Sequence, residues 1–230
     1  MRARLAVSVC FLSIANALHA QTIAITGGTV YPVSGPKIEN ATVLVRDGRI
    51  VSVGAGIAVP AGAQRIDATG KWVTPGFINP WTSIGIVEIG LGAGPSDQGA
   101  RGANNIAASF RPWDALNAAS PLIIHTRLDG ITSLGVVPAG NLISGQHAII
   151  DLSGSTRDQL LRRAPSAMVA QLGNAAAGGT GARGELIGKL REVLTDARNW
   201  PRRRTAVEEN RSRTLSATPA DFDALQPVLA

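Results

Sequence analysis

The chain has 230 residues, 22 basic and 16 acidic side chains, one cysteine and 45% hydrophobic residues. That length can bury a core of one large domain or of one and a half smaller ones, and the ordinary apolar content excludes a disordered chain. A single cysteine makes neither a disulfide scaffold nor a thiolate zinc site.

Met1 to Ala20 reads as a secretory signal. Arg2 and Arg4 supply the basic start, and Leu5 to Ile14 is an apolar run too short to span a bilayer. Small residues allow cleavage after Ala17 or Ala20. A periplasmic or secreted mature protein is therefore expected. Val9 before Cys10 does not suit lipoprotein processing, and cleavage would remove the only thiol. No later apolar run reaches the length of a membrane span. Loss of Arg2 and Arg4 lowers the net charge from +6 to +4. The one basic cluster, Arg202 to Arg204, is followed by Glu208 and Glu209, a pattern that fits a solvated helix face and not nucleic-acid binding.

Residues 21–74 are strand-rich. Short β-prone runs cover 22–25 and 29–33 around Gly27-Gly28. Runs 41–46 and 49–53 flank Asp47-Gly48, a strong signal for a two-residue hairpin turn with positive φ. Asp67 to Lys71 is a turn before a strand over 71–74. The block is expected to form part of a small β-sandwich.

The pattern changes at Pro75-Gly76. Phe77-Ile78 and Ile84 to Val87 suit short buried strands, and the Gly-rich stretch from Gly90 to Gly102 suits a loop. Ser120-Pro121 marks the N-terminus of a helix closed by Gly130. Strands are expected over 131–137, 147–152 and 167–170. Leu186, Ile187, Leu190, Val193, Leu194 and Ala197 form one apolar stripe, which predicts a helix over 183–199 interrupted by Pro201. Thr218-Pro-Ala-Asp221 opens a last helix with a capping residue, a first-turn proline and an acid near the dipole. Alternation of strand and helix after residue 75 predicts an α/β fold with βα units in a parallel sheet.

Three stretches together carry a family resemblance. They are 25–31 with the hairpin 45–54, the segment Ile66-Asp-Ala-Thr-Gly-Lys-Trp-Val-Thr-Pro-Gly-Phe-Ile78, and 129–134 with 142–146. The chain resembles the amidohydrolase superfamily, in particular its imidazolonepropionase-like secreted members, from about residue 22 onward. The resemblance implies β-sandwich strands (21–74) joined to a metal-dependent TIM-type (β/α) barrel (75–230). It implies hydrolysis of C–N bonds in peptide or non-peptide amides, ureas or cyclic imides, with a divalent metal such as zinc.

In that family the Pro-Gly-Phe-Ile segment leads to an acidic residue and then to two histidines, one residue apart, that hold the metal. The matching positions here are Asn79, Trp81 and Ser83. An indole has no lone pair for a metal and a serine hydroxyl is a poor zinc ligand, so no cofactor is expected at this place. A complete barrel takes about 250 residues, more than follow Pro75. The remaining ligands, the catalytic aspartate and the closing sandwich strands are therefore expected beyond Ala230. This predicts a truncated N-terminal half that is inactive alone, with an exposed strand edge open to self-association or to a complementary C-terminal half. The alternative is a non-catalytic binding protein on the same fold.

Other chemistry is sparse. His125 lies on the helix after Ser120 and reads as a packed or surface side chain. Ser144, Gln146 and His147 sit in or beside a loop before a strand, where a binding role or a hydrogen-bonded turn are both open. Glu88 and Asp97 flank a Gly-rich stretch with nothing to make them a poised pair. Gly90 to Gly94 and Gly173 to Gly184 lack the spacing of a phosphate loop.

Overall fold

A computed structural model describes residues 22–88, 97–140, 142–173, 182–209 and 215–230. The signal reading, with Cys10, and the glycines 90–94 lie outside the described residues. The chain divides into two compact units, Met1–Pro75 and Gly76–Ala230.

The first unit holds one five-stranded sheet. Strands β1 (Thr22–Val30), β2 (Ile38–Arg46), β3 (Arg49–Ala55) and β4 (Gln64–Asp67) are ordered β3-β2-β1-β4, and β5 (Trp72–Val73) also pairs with β1. The two runs expected around Gly27-Gly28 are one strand with an irregularity there, because Gly27 takes φ 79° against the Thr69 hydroxyl. The β2–β3 hairpin turns through Asp47 (φ 51°) and Gly48 (φ 71°), as Asp-Gly predicts. Asp67 closes its turn by accepting the Thr69 amide (2.9 Å) and hydroxyl (2.6 Å). Val30, Ala41 and Val43 form this unit's core. A sandwich needs a second sheet against the first; among the described residues this unit has one, and Ile50 and Trp72 remain 66% and 77% exposed.

The second unit is mixed α/β. Its sheet runs β6 (Phe77–Thr82), β7 (Ile131–Val136), β8 (Ile143–Asp151), β9 (Leu161–Ala170). Only β6 and β7 are parallel, joined across helix α1 (Pro121–Leu128). Strands β8 and β9 run antiparallel to their neighbours, which corrects the expected parallel sheet. The reason is connection length. A parallel crossover needs a dozen or more residues, whereas residues 137–142 alone link β7 to β8. A short helix α2 (Arg157–Leu160) precedes β9.

The expected strand at Ile84 to Val87 is a turn. Gly85 at φ 84° breaks the extended run, and the Ser83 carbonyl accepts the amides of Ile86 and Val87. Ile86 still points inward, joining Ile123, Leu134, Ile150 and Leu160 in a core beneath α1. Ser120 occupies the N-cap of α1, but its hydroxyl donates to Glu88 Oε2 (2.7 Å) and accepts no helix amide.

Helices α3 (Arg183–Glu208) and α4 (Pro219–Leu229) pack with Ile106, Ala108, Leu142 and Ile143 into a second core centred on Trp200 and Phe222, whose rings lie 5.5 Å apart. The predicted stop at Pro201 does not occur. Proline removes the amide that would bond the carbonyl four residues back. That carbonyl, of Ala197, accepts the Gln226 side-chain amide from α4 (2.9 Å), so the helix runs on. The cap predicted for α4 forms as a full capping box of Thr218 and Asp221.

Candidate functional site

The end of β6 is where the resemblance expects metal ligands. On this strand Asn79 is half-buried and Trp81 is 63% exposed. Asn79 Oδ1 accepts the Trp81 amide (3.1 Å), and Thr82 Oγ1 accepts the Ile84 amide (3.1 Å). These donors do not fit a divalent cation: the carboxamide oxygen serves its own strand, an indole offers no lone pair, and Ser83 brings a neutral hydroxyl. Among the described residues no group of three or more His, Cys, Asp or Glu is placed to hold a metal.

The binding-loop candidates all have structural partners. Ser144 is fully buried and donates to the Gly140 carbonyl (2.7 Å). Gln146 donates through Nε2 to the Ala108 carbonyl (3.2 Å), and its amide bonds the Phe110 carbonyl (2.9 Å), so β8 holds the segment before it. Gly145 at φ 133° permits this approach, since a Cβ there would meet Phe110. His147 differs. Its ring reaches across β7 toward the Pro80 carbonyl of β6 (Nε2, 3.3 Å) and meets the Ser166 hydroxyl of β9 through Nδ1. A side chain on Gly135 of β7 would collide with both the Pro80 carbonyl and the imidazole, so glycine makes the reach possible.

His125 is exposed on α1 and serves the helix only through its carbonyl. Glu88 accepts from Asn117 (2.9 Å) and Ser120, and so is held as a structural acceptor. In the basic cluster, Arg203 faces buried Asp196 (3.6 Å), and Arg204 reaches Glu208 (3.1 Å) and Asp223 (3.3 Å). Sequence reasoning missed Asp196 and the tie from Asp221 to Ser109, two carboxylate contacts that organise the second unit. Asp221 and Asp196 are 2% and 3% exposed, and each gathers hydrogen bonds from distant chain. It also missed Ser166, for which isolated sequence gives no signal, because its partner lies on another strand.

No family model matches the chain. It is 48% identical over 63 residues to the 5-methylthioadenosine/S-adenosylhomocysteine deaminase of Symbiobacterium thermophilum, a stretch that is 26% of this chain and 14% of that protein. It is 30% identical over 112 residues to the imidazolonepropionase of Mesorhizobium japonicum, covering 43% of this chain and 27% of that one. An amidohydrolase of solved structure from Thermotoga maritima superposes on 90% of this chain and 55% of its own, with TM-score 0.75 and 24% identity. The chain thus spans little more than half of that structure, and the sequence matches span smaller parts of the curated relatives. The fold is a mixed α/β fold of the kind seen in that structure. The resemblance to the amidohydrolase superfamily, read first from residues 66–78, holds in both sequence and fold.

Proposed function

We propose that this chain corresponds to the first part of an amidohydrolase-like hydrolase acting on C–N bonds, and that its first barrel strand has lost the metal-binding pair. The observation that carries the class is the superposition on the Thermotoga maritima amidohydrolase over 90% of the chain, joined by 30–48% identity to the deaminase and imidazolonepropionase. What supports the loss is the chemistry of Trp81 and Ser83 where the family's histidines fall. Small amides, ureas and cyclic imides are the substrate class, by resemblance. Residues 21–74 and 75–230 are the two domains of this reading.

The test is metal analysis and turnover of the purified mature protein. Substoichiometric metal after dialysis, with no amide cleavage by the chain alone, is expected. Cleavage should appear only when a polypeptide carrying the later barrel strands and ligands is supplied. One tightly held zinc per chain with chelator-sensitive cleavage would overturn the loss of the site. No cleavage with any such complement would overturn the hydrolase class.

Residues 1–20 act as a secretory signal in this reading, which places the mature protein in the periplasm or outside the cell. N-terminal sequencing of the exported form should begin at Leu18 or Gln21. Phe77, Ile78 and Trp81 of edge strand β6 are 60–68% exposed and supply the apolar edge for self-association or for the complementary half. No described helix is long and apolar enough to cross a membrane.

A further inference from the structure

His147 and Ser166 lie on adjacent strands β8 and β9, and neither has a role in the amidohydrolase reading. The Pro80 carbonyl, 3.3 Å from Nε2, can only accept a hydrogen bond. It therefore selects the tautomer with the proton on Nε2. In a neutral imidazole this leaves the lone pair on Nδ1, which faces Ser166 Oγ at 2.5 Å. The serine hydroxyl has one other acceptor, the His147 carbonyl at 3.1 Å, so both of its choices belong to the same residue. A hydroxyl, a base and a group that orients the base are the parts of an activated nucleophile.

Ser166 also lines a cleft of about 290 Å³ formed by β8, β9 and α4. Its walls are mainly apolar, with Met168, Ala224, Pro227 and Val228 among them. Arg163 is the one charged residue of the lining and has no carboxylate partner among the described residues. An apolar slot beside a hydroxyl suits a short acyl chain, and a guanidinium on the wall suits the negative charge that develops on an attacked carbonyl oxygen.

We propose that Ser166 and His147 form a nucleophile–base dyad that cleaves esters of short apolar carboxylic acids in this cleft without a metal. Ser166 Oγ attacks the ester carbonyl and forms a C–O bond while its proton passes to His147 Nδ1. The carbonyl electron pair moves onto oxygen, beside Arg163. Collapse of this adduct breaks the bond to the leaving alkoxide, which takes the proton from His147 and departs as an alcohol. Water then gives its proton to Nδ1 and attacks the acyl-serine. The acid is released and the proton returns to Ser166.

The experiment uses the full mature chain. It is treated with a fluorophosphonate probe, mapped by peptide mass spectrometry, and assayed on 4-nitrophenyl butyrate with and without EDTA. The probe should add to Ser166, and ester turnover should be unchanged by EDTA. Both should fall at least about 100-fold in S166A and in H147Q, within the range a general base contributes. Labelling of the wild-type chain needs no variant, so it decides the matter even if a substitution disturbs folding. An unlabelled wild type, labelling elsewhere, equal labelling in H147Q, or turnover lost to EDTA would each overturn the dyad. The dyad does not rest on the amidohydrolase reading: amide cleavage that appears only when a polypeptide carrying the later barrel strands is supplied, with Ser166 unlabelled, would support that reading and sink this one.

Discussion

Asp221 is the residue whose removal should damage the second unit most for its size. Its carboxylate is 2% exposed and accepts four hydrogen bonds. Oδ1 takes the Ser109 amide and hydroxyl at 2.8 Å each, and Oδ2 takes the Thr218 hydroxyl at 2.6 Å and amide at 3.3 Å. One side chain thus caps α4 and ties residue 109 to it across 112 positions of sequence. Loss of the cap costs about 1–2 kcal/mol. Stranding the half-buried Ser109 donors costs about 1–3 kcal/mol more. D221A should therefore lose about 2–5 kcal/mol in all. T218A, which leaves the Ser109 tie intact, should lose about 1 kcal/mol. Every described helix belongs to the second unit, so urea unfolding followed by helical circular dichroism reads that unit alone. If D221A costs no more than T218A, the carboxylate is not the link between the two segments and the reasoning fails.

Three further outcomes follow from other contacts. Q226L should cost about 1–2 kcal/mol by removing the donor for the Ala197 and Phe222 carbonyls, and P201A should recover part of the loss by restoring a backbone donor to Ala197; equal losses in Q226L and Q226L/P201A would contradict the assigned role of that amide. G135A should cost about 1–3 kcal/mol by forcing the His147 ring from the Pro80 carbonyl, read as a lowered urea midpoint and a shifted His147 ring resonance; an unshifted resonance would show that the ring does not lie there. The Thr69 hydroxyl and then its amide hold the Asp67 carboxyl below its usual pKa. Its contribution is therefore complete above the ordinary carboxylate range and lost as pH falls through the lowered value; in T69V the Asp67 midpoint, followed by NMR, should move upward, and an unmoved midpoint would contradict the hydroxyl's part.

Local chemistry was legible at two features that depend on near neighbours, though not at the turn of residues 83–87. Asp47-Gly48 named its own turn because both residues tolerate positive φ. Thr218, Pro219 and Asp221 named the start of α4 because a capping box closes within four residues. The stretch 66–78 carried the family resemblance. Chain direction in the sheet was legible only in part. Apolar runs show where strands lie but not which way they point. The six-residue link after β7 held the deciding information, since it is too short to bring the chain back for a parallel neighbour.

What only the tertiary structure decided are the pairings across long separations. Pro201 reads as a helix stop until Gln226 is seen beside the carbonyl that it frees. Ser120 reads as a cap until Glu88, 32 residues earlier, takes its hydroxyl. His147 reads as a lone histidine until Ser166 and Pro80 stand on either side of it. Hydrogen bonds act over about 3 Å in space, and a sequence records only separation along the chain. The single residue determines what a group can donate or accept; the fold alone determines which group is there to meet it.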